Sequence, residues 1–217
     1  TFFNMAKYLE IDLANLYFRC LRTCSGDAFT QSSLAIHIVL NSINNAWRHV
    51  QPDHIVFAAE GRSWRRDIYP RYKNNRDVKK ALMTPSEQEN AKIHYEAFDG
   101  LIEFLKTKTN TTFLQVQGAE GDDFIARWID RHPNDQHVIL SSDTDFVQLV
   151  KHNVQVYDGM KDLLISENEV SDVKGNKYEF NITSSGKIKI GKKLKLNESF
   201  EPQKDWVGYA LFLKCIR

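Results

Sequence analysis

HIVFAAEGRSWRRDIYPRYKNNRDVKK (residues 54–80) decides how this chain is read. Its first part is a short apolar run, entered from Gln51-Pro52-Asp53 and ending on Glu60. Such a run between turn residues reads as a strand buried on both faces. Its second part holds eight Lys/Arg against Asp67 and Asp77, with Trp64, Tyr69 and Tyr72 interleaved. A buried strand that ends on a carboxylate and passes straight into a basic, aromatic segment places opposite charges at one edge.

The same pattern recurs along the chain. KYLEIDL (7–13) is a first strand carrying Asp12, and VILSSD (138–143) is a fourth that ends on Asp143 with Asp145 just beyond. TTFLQVQ (111–117) is a third, leading into Glu120-Gly121-Asp122-Asp123, and NVQVYDG (153–159) is a fifth. Between them lie helical stretches. HIVLNSINNAWRHV (37–50) places Ile38, Ile43, Ala46, Trp47 and Val50 at helical spacing. Residues 86–108 close with lysines, and 120–131 form a third helix. Strands alternating with helices predict an α/β fold, a central mainly parallel sheet flanked by helices on both faces. Residues 171–196 alternate lysine with apolar side chains, as in KIKIGKKLKL, and predict an appended antiparallel hairpin with a lysine face. Residues 203–217 return to helix.

Bulk properties narrow the class. The chain has 217 residues, 42% of them apolar, which is enough for one sizeable core. The net charge of +1 excludes nothing until the charges are located. Three cysteines, Cys20, Cys24 and Cys215, read as reduced thiols of a cytoplasmic protein and not as a disulfide framework. No apolar run approaches the roughly 20 residues that span a bilayer, so no membrane partner is expected.

Seven acidic residues fall in four clusters: Asp12; Glu60; Glu120, Asp122 and Asp123; Asp143 and Asp145. In an open parallel sheet, function gathers beyond the carboxyl ends of the strands. Each cluster alone reads equally well as a helix cap, a turn or a solvated loop. Together at one edge they repel unless a cation sits among them, and hard divalent ions take oxygen ligands and bridge phosphate. Two such ions can activate water and stabilise a leaving oxygen. HExxH and CxxC pairs do not occur, so zinc is not suggested. The basic segment supplies phosphate-neutralising side chains, namely Arg62, Arg65, Arg66, Arg71, Lys73, Arg76, Lys79 and Lys80, with Trp64, Tyr69 and Tyr72 interleaved as faces on which unpaired bases can stack. Metal-binding carboxylates beside phosphate-binding cations predict a nuclease.

On these segments the chain resembles the 5′-nuclease family of 5′-3′ exonucleases and flap endonucleases, its phage-type 5′-exonuclease/ribonuclease H branch most of all. The matching stretches are EIDLANL, FAAEGRSWRRDIYPRYKNNR, GAEGDDFIARWI and LSSDTDFVQL, over about residues 7–165. The resemblance implies that Asp12, Glu60, Glu120, Asp122 and Asp143 surround a first Mg²⁺, with Asp123 and Asp145 nearer a second and Mn²⁺ as the expected substitute. It implies that Lys73 and Arg76, with Asp143, form the catalytic set on the scissile phosphate, and that Tyr72 stacks on an unpaired terminal base. It implies a helical arch at about 77–98 that grips a free 5′ end. The expected substrate is DNA with a 5′ flap, nick or free end, or an RNA/DNA hybrid, met during replication or repair in a bacterial or phage-infected cell. The enzyme is expected as a monomer, with a replication protein as a further partner.

The resemblance also has departures. Family members usually carry Asp where Glu60 stands and an apolar residue where Glu10 stands. The lysine hairpin is not a general family feature. Residues 1–170 are expected as the catalytic domain, 171–196 as the hairpin insertion, and 197–217 as the start of a C-terminal helical DNA-binding region that is cut short. Two other classes fit parts of this pattern. One is a PIN-type ribonuclease, which lacks the 61–80 segment and the long arch. The other is a non-catalytic, structure-specific DNA-binding module, against which the seven carboxylates argue because clustered unpaired charge destabilises a fold.

Overall fold

A computed structural model describes residues 5–61, 63–69, 71–195 and 198–215, with only the backbone of Arg76. In chain order the elements are β1 (Lys7–Asp12), α1 (Leu13–Leu21), α2 (Ala28–Val50), β2 (His54–Ala58), α3 (Arg65–Ile68), α4 (Asn74–Ala81), α5 (Pro85–Lys108), β3 (Thr112–Leu114), α6 (Gly121–Arg131), β4 (Gln136–Leu140), a 3-10 turn (Thr144–Leu149), β5 (Val154–Asp158), β6 (Leu163–Ile165), β7 (Val170–Asp172), β8 (Lys177–Ile182), β9 (Ile188–Lys193) and α7 (Trp206–Cys215). Among the described residues no helix is long and apolar enough to cross a membrane.

Among the described residues, nine strands form one sheet in the order β3-β2-β1-β4-β5-β6-β7-β8-β9. From β3 to β5 the pairing is parallel, and from β5 to β9 it is antiparallel. The chain leaves β1 for β2 on one side and returns through β4 on the other. The carboxyl ends of β1 and β4 therefore flank the point where the strand order reverses, where open α/β sheets form their crevice. Leu9, Ile11 and Leu140 pack one face of the sheet against α1, α2 and the Leu101–Ile102–Leu105 stretch of α5. Ala58, Ile139, Val154 and Val156 pack the other against Ile125 and Ile129 of α6 and Trp206 of α7. Both faces of the parallel part are buried, so its strands read as near-continuous apolar runs.

The structure differs from the sequence reading in places. α1 follows β1 without a loop, because Asp12 ends the strand and caps the helix, its Oδ1 accepting from the Asn15 N–H at 3.2 Å. α2 begins at Ala28, where Asp27 accepts from the Thr30 N–H at 2.8 Å. β3 keeps only three residues. The chain beyond it turns to meet the basic segment instead: the Gly61 N–H donates to the Ala119 carbonyl at 3.0 Å and that of Trp64 to Gly118 at 2.7 Å. A Cβ at Gly61 would collide with the Val116 carbonyl, so only glycine allows this approach. The lysine hairpin, β8–β9, is antiparallel as expected and is appended at the end of the sheet. β6 and β7 join it to the main sheet, and β9 is its far edge.

The long helical excursion is broken at residues 82–84. Among its described side chains α4 buries none, and α5 starts afresh with a capping box between Thr84 and Glu87 and Pro85 in its first turn. The first buried side chain of α5 is Phe98, so its N-terminal half stands off the core. His94 ties it down: its carbonyl accepts from the Tyr17 hydroxyl at 3.0 Å, and its Nδ1 lies 2.8 Å from Ser32 Oγ.

Glu10, an outlier in the sequence, is fully buried with its Oε1 2.5 Å from Nδ1 of the equally buried His137. The His137 Nε2–H donates to the His132 carbonyl at 2.9 Å, leaving Nδ1 to share a proton with Glu10. Burial pushes the Glu10 carboxyl up, and the His137 bond and charge only partly offset it. Burial pushes His137 down, but the Glu10 bond and charge outweigh it and leave His137 raised. Removing one partner strands a buried polar group. Glu10→Ala is expected to destabilise the fold by about 3–5 kcal/mol, whereas Glu10→Leu combined with His137→Leu should restore much of that loss. Urea unfolding of both variants measures this; a double variant no more stable than Glu10→Ala would show that the pair is not coupled.

Candidate active site

Asp12 is held from both sides of the switch point. Besides its Asn15 bond, its Oδ2 accepts from Ser141 Oγ at 3.2 Å, and Ser141 Oγ in turn accepts from the Asp143 N–H at 3.1 Å. Asp143 Oδ1 accepts from the Asp145 N–H at 2.9 Å. Asn15 Oδ1 accepts from Ser142 Oγ at 2.8 Å, and Arg19 donates to that same hydroxyl at 2.6 Å. These bonds fix the loop after β4 against the end of β1. Asp12 is 9% exposed and its carboxyl is pushed up to about 6, first by burial and then by the charges of Glu60 and Asp143. Glu60 and Asp143 are exposed.

A second acidic group lies at the start of α6. Glu120, Asp122 and Asp123 each bring one carboxylate oxygen within 4.8 Å of the others. α6 begins over the end of β2, where Gly121 lies against Ala58 and a Cβ would make only ordinary contact, 3.7 Å from the Ala58 carbonyl. Glu120 is buried, yet Lys73 at 2.6 Å, the Tyr72 hydroxyl at 2.9 Å and Arg65 at 3.3 Å donate to it. Burial alone would push its carboxyl up, but these donors more than offset that and hold it below the usual range. Arg65 grips Asp123 bidentately at 2.7 and 2.8 Å and lowers it. Asp122 is raised, by burial and by the charges of Asp123 and Glu120.

The basic segment therefore forms a clasp over the α6 carboxylates. The Tyr72 ring is flanked by the Lys73 ammonium at 5.3 Å and the Arg65 guanidinium at 6.0 Å. Lys73 adopts a left-handed backbone, φ 56°, at the point where α4 begins. Arg66 pairs with Asp77 at 2.8 Å, and Arg71, Lys79 and Lys80 are exposed, as are Trp64 and Tyr69. Arg62 and the Arg76 side chain lie outside the described residues. Asp145 stands apart from the α6 group, ion-paired to Lys214 at 3.0 Å, and Lys214 also donates to the Thr144 carbonyl at 2.5 Å.

Sequence reasoning missed Asn15, Ser141, Ser142, Arg19 and Lys214. Asn15 carries a weak signal, since it sits at cap spacing from Asp12. Lys214 carries none, because it reaches Asp145 from a distant helix.

Residues 7–176 match the family described as 5′-3′ exonuclease, N-terminal resolvase-like domain. Among curated proteins, the flap endonuclease Xni of Psychromonas ingrahamii is 29% identical over 178 residues, covering 79% of this chain and 63% of that protein. DNA polymerase I of Rhizobium leguminosarum is 30% identical over 128 residues, covering 57% of this chain and 11% of that protein. Among solved structures, a zinc-bound 5′-exonuclease of phage T5 superposes with a TM-score of 0.64 at 22% identity, over 74% of this chain and 58% of that one. A T5 flap endonuclease solved with DNA and metal ions gives a TM-score of 0.61 at 22% identity, over 74% and 57%. The two T5 structures share the α/β fold expected from the sequence. The chain spans less than two-thirds of the length of each of these four proteins. Through residues 7–176 the chain belongs to the 5′-3′ exonuclease N-terminal domain family.

Proposed function

We propose that this chain is the catalytic portion of a divalent-metal-dependent, structure-specific 5′-nuclease. It would hydrolyse phosphodiesters at 5′ ends, nicks or flaps of duplex DNA, or at RNA/DNA ends, in replication or repair. The observation that carries this reading is a pair of acidic groups at the carboxyl end of the parallel strands, Asp12 with Glu60 and Asp143 beside the switch point and the α6 group under a basic clasp next to β2. The family relation supports it, as do the DNA and metal ions in the T5 structures.

The donor set fits hard cations. The α6 group offers carboxylate oxygens within 4.8 Å, and Asp12 is raised to about 6 beside Glu60 and Asp143, a repulsion that a cation would relieve. We assign Asp12, Glu60, Glu120, Asp122 and Asp143 to a first Mg²⁺ and Asp123 and Asp145 to the side of a second. When bound, such ions activate water and stabilise the leaving oxygen of an in-line displacement. The chain's own side chains position the phosphate. Lys73, anchored on Glu120, presents its ammonium at this edge, and with Arg76 it would offset charge developing on the phosphoryl oxygens. Tyr72 would stack on an unpaired base. α4 and the exposed half of α5 would form the arch around a single strand, with exposed Arg71, Lys79 and Lys80 meeting its phosphates. Residues 197–217 would open a further duplex-binding region.

Asp143→Asn is expected to reduce Mg²⁺-dependent cleavage of a 5′-flap DNA at least about 10²-fold, and Lys73→Ala to reduce single-turnover cleavage by about 10²–10³ with little change in substrate binding. Unchanged cleavage by Asp143→Asn would remove this edge as the site. A loss confined to binding would reassign Lys73 to positioning.

Asp12 gives a test that needs no substrate. Its folded-state value of about 6 lies above its ordinary 3.8, so the folded chain holds the proton more tightly. Its contribution to stability therefore falls as pH rises from about 4 through 6 and stays lost above that. At pH 8 in EDTA, Asp12→Asn is expected to raise stability by on the order of 2–3 kcal/mol, several degrees in Tm. Added Mg²⁺ should shrink or reverse that gain, because the ion binds the wild-type carboxylate. Equal shifts with and without Mg²⁺ in thermal scans would exclude Asp12 from the metal set.

A further inference from the structure

Residues 170–195 carry seven lysines against two acidic residues, on a chain whose net charge is only +1. All seven lysines are exposed. Lys177 pairs with Glu169, and Lys192 with Glu179 at 3.5 Å and Glu198 at 3.7 Å. Among the described residues, Lys174, Lys187, Lys189, Lys193 and Lys195 have no ion pair. Lys177, Lys193 and Lys195 also line one surface groove with Asn176 and Leu194.

The platform under these lysines is firmly built. Phe180 packs edge-on against Trp206 at 5.0 Å, and the Trp206 Nε1–H donates to the Glu167 carbonyl at 2.7 Å. At the hairpin turn, Gly186 (φ 70°) lies so close to α7 that a Cβ would collide with the Ala210 carbonyl. A rigid support spares the cost of ordering backbone when its charges bind. The hairpin strands themselves carry two aromatic rings: Phe180 is in the core, and Tyr178 is half-buried with its hydroxyl donating to Asp172 at 3.0 Å. The hairpin thus offers cations without exposed stacking faces. The segment at 64–80 is the reverse, with Trp64 and Tyr69 exposed among its basic residues. Cations alone suit the phosphates of a paired duplex, whereas cations with aromatic faces suit unpaired bases.

We infer that the β8–β9 lysine edge is a second nucleic-acid contact, engaging the phosphate backbone of duplex DNA while the 61–80 segment engages the single strand. This rests on the proposed nuclease reading and names the part of the substrate that this surface holds. An edge strand with lysines also resists edge-to-edge pairing. That role needs only a few charges along β9 and does not account for Lys174 or Lys195, which lie outside the strand.

The test is the full-length protein carrying Lys189→Gln, Lys193→Gln and Lys195→Gln together, with the matching Lys→Arg triple as a control. Anisotropy of a fluorescein-labelled 30-base-pair duplex in Ca²⁺, over a range of salt, gives the slope of log Kd against log salt. The Gln triple should lose about 2–3 units of slope, near 0.9 per phosphate contact, and about tenfold in affinity at moderate salt, while the Arg triple retains both. Binding of a single strand of the same length and single-turnover cleavage of saturating 5′ flap should stay at wild-type levels. An unchanged slope in a variant that still cleaves overturns this inference and leaves the nuclease reading intact. Should that variant also lose retention on polyglutamate, the edge serves an acidic protein. A wild-type protein that binds duplex with the expected slope but cleaves no 5′ end with any divalent metal overturns the nuclease reading alone.

Discussion

Carboxylates from different strand ends repel one another, and the arrangement of this edge follows from how that repulsion is met. On the α6 side it is met by protein cations. Arg65 spans Asp123 bidentately and Lys73 holds Glu120, so two buried or half-buried acids are held below their ordinary range. This clasp requires residues 61–73 to lie against the loop before α6, which the Gly61 and Trp64 backbone bonds secure. On the β1–β4 side the Asp12 carboxyl is instead raised, with neighbouring carboxylates among the causes. One edge therefore carries a compensated half and a strained half.

Strain of this kind is common where function needs it, because the groups that react or bind are seldom those that best stabilise the fold. The strained half is braced as well. Ser141, Asn15 and Asp143 link Asp12 to the loop after β4 through hydrogen bonds of 3.2, 2.8 and 3.1 Å. Acceptors held in place in advance lose less on binding than ones that must be ordered.

Much of this was legible in the sequence, and the limits have physical causes. The parallel strands were readable because burial on both faces makes them apolar runs bounded by turn residues. The acidic edge was readable because strand ends carry their carboxylates in a repeated position. α1 was not, since Asp12 serves two elements at once and leaves no turn signal between them. β6 and β7 were not, because three-residue strands carry almost no periodicity. The clasp was only half readable: the charge of 61–80 was plain, but that Arg65, Tyr72 and Lys73 would turn onto Glu120 and Asp123 depends on a pairing between residues far apart in sequence.

The clasp also ranks the acidic residues, by counting what each carboxylate can still accept. An ionised carboxylate has about four lone-pair sites. Asp123 accepts two bonds from Arg65 and one from the Glu120 N–H, so two sites on Oδ2 are filled and one remains on Oδ1. Glu120 accepts from Lys73 on Oε1 and from Tyr72 and Arg65 on Oε2, which leaves one site on Oε1. Asp122 accepts only the Asp123 N–H among the described residues. Asp122 therefore has the most capacity in this group, and the same bonds that lower Asp123 and Glu120 leave them least to offer a cation. Within the compensated half, residues that neighbour one another in sequence differ: Asp123 holds the clasp in place, and Asp122 keeps the most acceptor capacity.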